Sequence, residues 1–120
     1  SKKFETSNVL VLFGCGGNRD RKKRPLMGKI ASKYADKATV TDDNPRYENP
    51  ARIREEVIGN LKNISEIGNR KLAIKKAISE LKRGDLLLIA GKGHEKFQSI
   101  MGKNIPFDDV KIAKKYLQKK

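Results

Sequence analysis

The sequence predicts an α/β fold in which a mainly parallel sheet carries helices on both faces. Residues 9–14 (VLVLFG) form an unbroken apolar run that ends in glycine, which is typical of a strand buried on both faces of a parallel sheet. Two further short runs, residues 38–41 (ATVT) and 86–90 (LLLIA), also have strand composition. Segments with helical periodicity separate these runs, and strands that alternate with helices indicate parallel connections.

Two helices are predicted in the first half of the chain. Pro25 fits the first turn of one helix, which ends near Asp36, and its apolar side chains recur at helical spacing: Leu26, Met27, Ile30, Ala31 and Tyr34. Asn49 and Pro50 are a suitable cap and first position for the other, whose apolar face consists of Ile53, Val57 and Leu61. A polar loop at residues 63–68 is expected to follow.

The second half of the chain contains two more predicted helices. One covers about residues 69–81, with an apolar face of Ile74, Ala77, Ile78 and Leu81. Asp108 or Asp109 caps the other, on which Val110, Ala113 and Leu117 align. Residues 97–107 form a candidate hairpin around Gly102. With only three predicted strands the sheet is small, so a further strand and helix are expected elsewhere.

Composition limits the class of protein. A chain of 120 residues, 37% hydrophobic and 35% charged, fits one globular domain. The longest apolar run, residues 86–90, is too short to cross a bilayer, and nothing at the amino terminus resembles a secretory signal. One cysteine and one histidine give neither an internal disulfide nor a structural zinc site. We therefore expect a cytoplasmic protein.

The net charge of +14 raises the alternative of a nucleic-acid-binding module. The lysines, however, occur in every segment, and no stretch interleaves aromatic residues with arginine as single-strand binders do. This distribution favours a solvated, lysine-rich surface and no nucleic-acid partner. Loss of oligonucleotide binding with added salt would distinguish the two interpretations.

Three polar or glycine-rich loops are expected at the same edge of the sheet. They are residues 14–20 after the first strand, residues 42–46 after the second and residues 91–95 after the third. Ligands of open α/β sheets bind beyond the carboxyl ends of the strands, where such loops and helix amino termini converge. The coincidence of the three loops is a more specific indication of a site than any one of them.

Each loop also has a simpler interpretation when taken alone. The glycines of residues 14–17 fit a tight turn that needs positive φ, and Arg19 stands where a dinucleotide fingerprint would have its third glycine. Residues 91–93 lack the first glycine of a phosphate-binding P-loop. Residues 43–46 could be only a turn, and Cys15 is expected to be a small buried residue rather than a nucleophile.

Together, the loops resemble the UDP-N-acetylmuramoyl-tripeptide synthetases, which are Mur ligases. Residues 14–20 (GCGGNRD) and 23–28 (KRPLMG) are similar to the GCGG-[DN]-RD and KRPLMG segments of that family. Residues 41–46 (TDDNPR) are similar to its TDDNPR segment. Residues 90–95 (AGKGHE), with Gln98 and residues 106–109 (PFDD), resemble its AGKGHE and FDD segments. The resemblance runs from about residue 9 to the carboxyl terminus, with the motifs in the family's order.

The resemblance implies that residues 1–120 form the carboxyl-terminal, Rossmann-like, amino-acid-binding domain of an ATP-dependent amide ligase. A nucleotide-sugar domain and a central ATPase domain precede it in the family, so ATP, Mg²⁺ and UDP-N-acetylmuramoyl-dipeptide would bind mainly outside these residues. The family's domain also opens with a further strand and helix, which implies that the sheet here is truncated at its amino-terminal strand. We expect a monomer that has no ligase activity by itself.

Within this resemblance, Asp43, Asn44, Pro45 and Arg46 are expected to bind the amino acid, and their sequence implies that it is meso-diaminopimelate. Diaminopimelate differs from lysine by a carboxylate on its far carbon, so its pocket must hold a zwitterion. Arg46 is expected to bind that carboxylate through two parallel hydrogen bonds, and Glu95 to accept the neighbouring ammonium. A lysine-adding ligase of the same family is the alternative, in which Arg46 would face no carboxylate.

Three further residues would complete the site. Arg19 is expected to join Arg46 in holding a carboxylate, and the backbone at Gly91 to line the pocket beside Asn44. His94 is expected to support these groups by hydrogen bonding rather than to bind a metal. The reaction implied is phosphorylation of the dipeptide carboxylate by ATP, followed by attack of the diaminopimelate amine on the acyl phosphate. No catalytic residue or metal ligand is expected in this chain, whose contribution would be to hold the amine in place.

Overall fold

A computed structural model of the chain describes residues 8–17, 20–90 and 95–119. Within these ranges, a four-stranded parallel sheet has the order β3-β2-β1-β4, where the strands are β1 (Val9–Phe13), β2 (Lys37–Val40), β3 (Ile64–Glu66) and β4 (Leu86–Ile89). The helices are α1 (Lys23–Tyr34), α2 (Pro50–Ile58), α3 (Arg70–Glu80) and α4 (Asp109–Gln118). An antiparallel hairpin pairs β5 (Phe97–Ile100) with β6 (Lys103–Pro106). The predicted α/β class is confirmed.

The two faces of the sheet carry separate hydrophobic cores. Along β1 the side chains alternate, so Phe13 packs with Val40 and Val57 beneath α1 and α2. Leu12 points to the opposite face and packs with Ile74 of α3, where α4 also contributes side chains. Helices therefore cover both faces, as predicted.

Side-chain caps set where two of the predicted helices begin. The Asn49 side chain accepts a hydrogen bond from the Ala51 amide at 2.9 Å, and Pro50 takes the first helical position of α2. The Asp108 carboxylate accepts from the amides of Val110 and Lys111 at the start of α4. None of the helices in the described ranges is long and apolar enough to cross a bilayer.

The prediction of a plain polar loop at residues 63–68 is wrong in part. Ile64–Glu66 forms the edge strand β3, which pairs in parallel with β2 and places Ile64 against the core under α1 and α2. A three-residue strand with one apolar side chain is too short to show an alternating pattern. Its existence depends on the hydrogen bonds that β2 offers at its open edge.

Helix α1 is present, but its predicted apolar face is not the buried one. Ala31 packs against the core as predicted, but Leu26, Ile30 and Tyr34 are half or more exposed, whereas Arg24 and Gly28 are buried. The reason is the close approach of α2: a Cβ on Gly28 would lie 2.0 Å from the Val57 carbonyl oxygen. Backbones this close exclude large side chains from the contact.

Helix α4 shows a similar shift of face. Ile112, Ala113 and Tyr116 pack against the core on the α3 side, while Val110 and Leu117 are exposed. The prediction that Val110, Ala113 and Leu117 share the packed face is therefore wrong for the first and the last. Both sets have helical spacing and differ by a small rotation, so spacing alone could not choose between them.

Strand order sets the place where a ligand could enter. The chain passes from β1 through β2 to β3 on one side, then crosses to β4 on the other side of β1. The carboxyl ends of β1 and β4 therefore flank the switch point, where connections diverge and leave a crevice. Residues 14–17 and 90–95 follow these two strands.

We expect Gly28→Ala to lower the free energy of unfolding by about 1–3 kcal/mol, because the added methyl group would force α1 and α2 apart. Denaturant unfolding followed by circular dichroism measures the change. Lys29→Ala, at the neighbouring exposed position of the same helix, is the control and should unfold as the wild type does. An unchanged midpoint for Gly28→Ala would contradict the close contact between the two helices.

Candidate functional site

The described part of the first loop, residues 14–17, lies directly on the second loop, residues 42–46, and on Thr41 before it. The Gly17 amide donates to the Asn44 carbonyl oxygen at 2.7 Å, and a Cβ on Gly17 would lie 1.9 Å from the Pro45 carbonyl oxygen. A Cβ on Gly14 would lie 2.5 Å from the Thr41 carbonyl oxygen. Neither glycine has positive φ, so the expected turn requirement is wrong, and close approach of two backbones explains the glycines instead.

The hairpin holds the backbone of Arg46. Arg46 has φ of +53°, a left-handed conformation that is uncommon for a residue with a side chain. Its amide donates to the Ser99 carbonyl oxygen at 2.8 Å, and its carbonyl oxygen accepts from the Met101 amide at 2.7 Å. Such conformations persist where the surroundings over-determine them, and they are concentrated at binding sites.

The Asn44 side chain connects the second loop to the third. It is 3% exposed; its Nδ2 donates to Glu95 Oε1 at 2.8 Å, and its Oδ1 accepts from the Ser99 amide at 2.9 Å. Because the Ser99 amide can only donate, it fixes which way the Asn44 amide group points. Asn44 therefore orients the Glu95 carboxylate from a buried and fully determined position.

The Arg46 side chain reaches back to the first loop. Its Nη1 donates to the Gly17 carbonyl oxygen at 2.8 Å and, more weakly, to that of Asn44 at 3.4 Å. Both contacts use the same nitrogen. The Nε and Nη2 donors form the edge of a guanidinium that can hold a carboxylate through two parallel hydrogen bonds.

The other predicted site residues divide into two groups. Asp43 and Pro45 are buried in the second loop, and the Asp43 carbonyl oxygen accepts from Gln98 Nε2 of the hairpin at 3.0 Å. Arg19, Gly91 and His94 lie outside the described residues, so their predicted roles stay predictions. The structure thus brings Asn44, Arg46 and Glu95 together on a base that Asp43 and Pro45 help to form.

Sequence reasoning missed Arg24, which is fully buried behind the first loop. Its Nη2 donates to the Gly16 carbonyl oxygen at 3.0 Å and to Glu48 at 2.9 Å, and its Nη1 donates to Glu56 at 3.0 Å. These bonds attach the first loop to the segment after the second loop and to α2. Hydrogen bonds from Arg21 and Arg24 also lower the pKa of the Glu56 carboxyl, which keeps it charged as a partner.

Arg70 was missed as well, at the start of α3 behind the second and third loops. Its guanidinium donates to the backbone carbonyl oxygens of Asp42 and Ala90 and to the Asp109 carboxylate. The signal in the sequence is weak: each missed arginine lies in the first turn of a helix and looks like an ordinary surface cation. Their burial is decided by the partners that the fold brings to them.

Asp42 begins the second loop in a partly buried position beside Arg54. Burial raises the pKa of the Asp42 carboxyl above its ordinary value, and the hydrogen bond from Arg54 offsets part of that increase. Arg54 also bonds to Glu66 of β3 at 2.8 Å. The Asp42 carboxylate is therefore engaged, through Arg54, in attaching α2 and β3 to the loop.

The Asn44 side chain links the Glu95 carboxylate to the loop that carries the Arg46 guanidinium. Arg46 and Glu95 are both half-buried, and partial removal of water strengthens charge-assisted hydrogen bonds. The backbone around them is held by close packing at Gly17 and by the hairpin. Fold and loops together define an α/β domain in which a loop with a guanidinium and a loop with a carboxylate are joined beyond the strand ends.

Comparison with known proteins assigns this domain to a family. The family described as "Mur ligase, glutamate ligase domain" matches residues 1–93. The chain belongs to this family. It is 51% identical over 118 residues to the UDP-N-acetylmuramoyl-L-alanyl-D-glutamate–2,6-diaminopimelate ligase of Rickettsia rickettsii, covering 97% of this chain and 25% of that protein. The ligase of the same name from Rhizobium meliloti is 51% identical over 114 residues, covering 95% of this chain and 24% of that protein.

A solved structure shows the same fold. The structure of a UDP-N-acetylmuramoyl-L-alanyl-D-glutamate–2,6-diaminopimelate ligase matches with a TM-score of 0.88 and 39% identity, over 93% of this chain and 24% of that one. The chain thus spans about a quarter of the length of these relatives. The family resemblance inferred from the three loops is confirmed.

Cys15 provides a test of how tightly the first loop is held. It is buried, its Sγ lies 3.5 Å from Met27 Sδ, and burial raises the pKa of its thiol. Because the thiolate is the reactive form, the folded chain should react with an aromatic disulfide reagent at about pH 8 far more slowly than free cysteine does. The rate should also begin to rise at a higher pH than it does for free cysteine, because the Cys15 thiolate forms at a higher pH. Thiol titration with and without denaturant measures this, and fast labelling of the native chain would show that the first loop opens readily.

Proposed function

We propose that this chain is the amino-acid-binding domain of an ATP-dependent ligase that adds meso-diaminopimelate to UDP-N-acetylmuramoyl-L-alanyl-D-glutamate in peptidoglycan synthesis. The names of relatives that are about half identical to this chain support the proposal. The single observation that carries it is the 2.8 Å hydrogen bond from Asn44 to Glu95, which places a carboxylate beside the loop that bears Arg46. A zwitterionic chain end requires this pair of opposite charges.

In this proposal, Arg46 and Glu95 bind the two charged groups at the far end of diaminopimelate. Arg46 would hold the distal carboxylate of diaminopimelate through its Nε and Nη2 edge, and Glu95 would accept the neighbouring ammonium. Arg19 and the Gly91 backbone are proposed to complete the pocket from the adjoining loop segments, with His94 supporting the third loop. In this proposal Asp43 and Pro45 shape the second loop rather than contact the amino acid.

The contribution of this chain to the reaction is positional. Holding the far end of diaminopimelate directs its reactive amine toward the activated carboxyl carbon of the dipeptide. Amide formation then becomes effectively intramolecular, a gain that can reach about 7–11 kcal/mol in well-oriented systems. We assign ATP, Mg²⁺ and the nucleotide-linked dipeptide to the remainder of the ligase. The cytoplasmic location and the monomeric state stay predictions from the sequence.

A lysine-adding ligase is the second candidate, since lysine shares the distal ammonium that Glu95 would accept. It leaves the Arg46 guanidinium without a carboxylate, at a position where the backbone is held in an uncommon conformation by two hydrogen bonds. Desolvating an unpaired cation is unfavourable, so the geometry favours diaminopimelate.

In the full-length ligase, Arg46→Ala should reduce kcat/KM far more with diaminopimelate than with lysine. The expected difference is about 2–4 kcal/mol of transition-state stabilisation, because a charge-assisted bidentate contact is lost with only one of the two substrates. The measurement is kcat/KM for both amino acids. Arg46→Lys is the matched variant: it keeps the charge, loses the two-point contact and should lie between wild type and Arg46→Ala. Equal losses for both amino acids would show that Arg46 supports the loop and does not read the carboxylate.

Glu95→Gln should reduce kcat/KM for both amino acids by similar factors, because both present a distal ammonium. The neutral side chain can still accept the hydrogen bond from Asn44, so the loop contact survives while the charge is removed. Steady-state kinetics with both substrates at several salt concentrations measures the effect. A loss confined to one amino acid would contradict the assignment of Glu95 to the ammonium.

A further inference from the structure

We propose that Arg70 is a positioning residue that sets the separation of the second and third loops, and through it the spacing of Arg46 and Glu95. Arg70 is the first residue of α3 and its side chain has no exposed surface. Among the described residues, its hydrogen bonds reach Asp109 and the backbone that leads into each loop rather than Arg46 or Glu95. The part of this inference that is tested with diaminopimelate rests on the proposed function.

The guanidinium of Arg70 bridges the two loops directly. Its Nη1 donates to the Asp42 carbonyl oxygen at 3.1 Å, and its Nη2 donates to the Ala90 carbonyl oxygen at 3.2 Å. Asp42 lies two residues before Asn44, and Ala90 is the residue after β4, five positions before Glu95 in the sequence. Because the guanidinium is a rigid plane, the separation of its two donor nitrogens is fixed, and this restricts the distance between the two carbonyl groups.

Asp109 in turn fixes the guanidinium. Its Oδ1 accepts from Arg70 Nε at 2.8 Å and its Oδ2 accepts from Arg70 Nη2 at 2.7 Å, a two-point contact. Asp109 is the first residue of α4 and its side chain is 15% exposed. The last helix of the fold is therefore attached, through one ion pair, to the base of the loops that carry the binding pair.

Stability alone is a poor explanation for this arrangement. A buried ion pair adds little net stability, since the cost of removing two charges from water offsets most of their attraction. An apolar side chain would serve the contact between α3 and α4 but would leave two loop carbonyl groups without this donor. A lysine offers one point charge and cannot reach both carbonyl groups and both carboxylate oxygens in one plane. Only arginine supplies all four hydrogen bonds.

Arg70→Lys in the full-length ligase tests the role. We expect the KM for diaminopimelate to rise about tenfold, because the spacing of the two charged groups is no longer held, with the KM values for ATP and for the nucleotide-linked dipeptide unchanged. Amide hydrogen exchange, followed by mass spectrometry, should become faster in residues 41–46 and 95–100. Asp109→Asn is the second variant: it keeps the side-chain shape, weakens the hold on Arg70 and should give smaller changes in the same direction.

Ile78→Ala is the control, on the same helix and fully buried in the α3 core but two turns away from Arg70. It should lower the melting temperature without raising the KM for diaminopimelate selectively. The inference is overturned if Arg70→Lys raises all three KM values together, or if it affects kinetics only as Ile78→Ala does. A wild-type ligase that does not use diaminopimelate would refute the proposed function instead. In that case the exchange rates of the two loop segments still decide whether Arg70 holds them.

Discussion

The segment from Thr41 to Arg46 is buried over much of its length, yet it belongs to neither a strand nor a helix. Its backbone groups must therefore find partners in other parts of the chain, because an unpaired buried amide or carbonyl group is costly. The Thr41 amide donates to the carbonyl oxygen that ends β1, the Asn44 carbonyl oxygen accepts from Gly17, and the Arg46 amide donates to the hairpin. The hydrogen bonds that pair the backbone of this segment therefore hold the first loop, the hairpin and α3 at the same edge of the sheet.

Polar side chains complete what the backbone begins. Gln98 donates to the Asp43 carbonyl oxygen, and Arg70 donates to that of Asp42. The Asn44 side chain accepts from the hairpin amide of Ser99 and donates to Glu95. A network in which each member is paired is rigid and specifies one arrangement. That rigidity is what a site for a small, doubly charged chain end requires, since misplacing either charge would cost binding without improving the other contact.

Local sequence was sufficient where a feature depends on its own residues. Short-range patterns predict the caps at Asn49 and Asp108 and the buried face of α3, and the structure contains them. They also predict the burial of Ile53 and Val57, although α2 ends at Ile58 and so does not reach the predicted Leu61. Local sequence was insufficient where a neighbour decides the outcome. The face of α1 was misjudged because the close approach of α2 at Gly28, rather than the apolar stripe, determines which side is buried. Strand β3 was missed because pairing with β2, rather than its own composition, makes it a strand.

The sequence by itself determined the parallel α/β fold, the order of its main elements and the family, because periodicity and short motifs are properties of consecutive residues. It also pointed to Asn44, Arg46 and Glu95 as members of one site. Only the tertiary structure decided how they meet: Asn44 orients Glu95, the hairpin holds Arg46 at positive φ, and the glycines of the first loop admit a second backbone. The roles of Arg24 and Arg70 also came from the structure alone. A guanidinium takes its function from the acceptors around it, and those acceptors are brought together only when distant parts of the chain fold against one another.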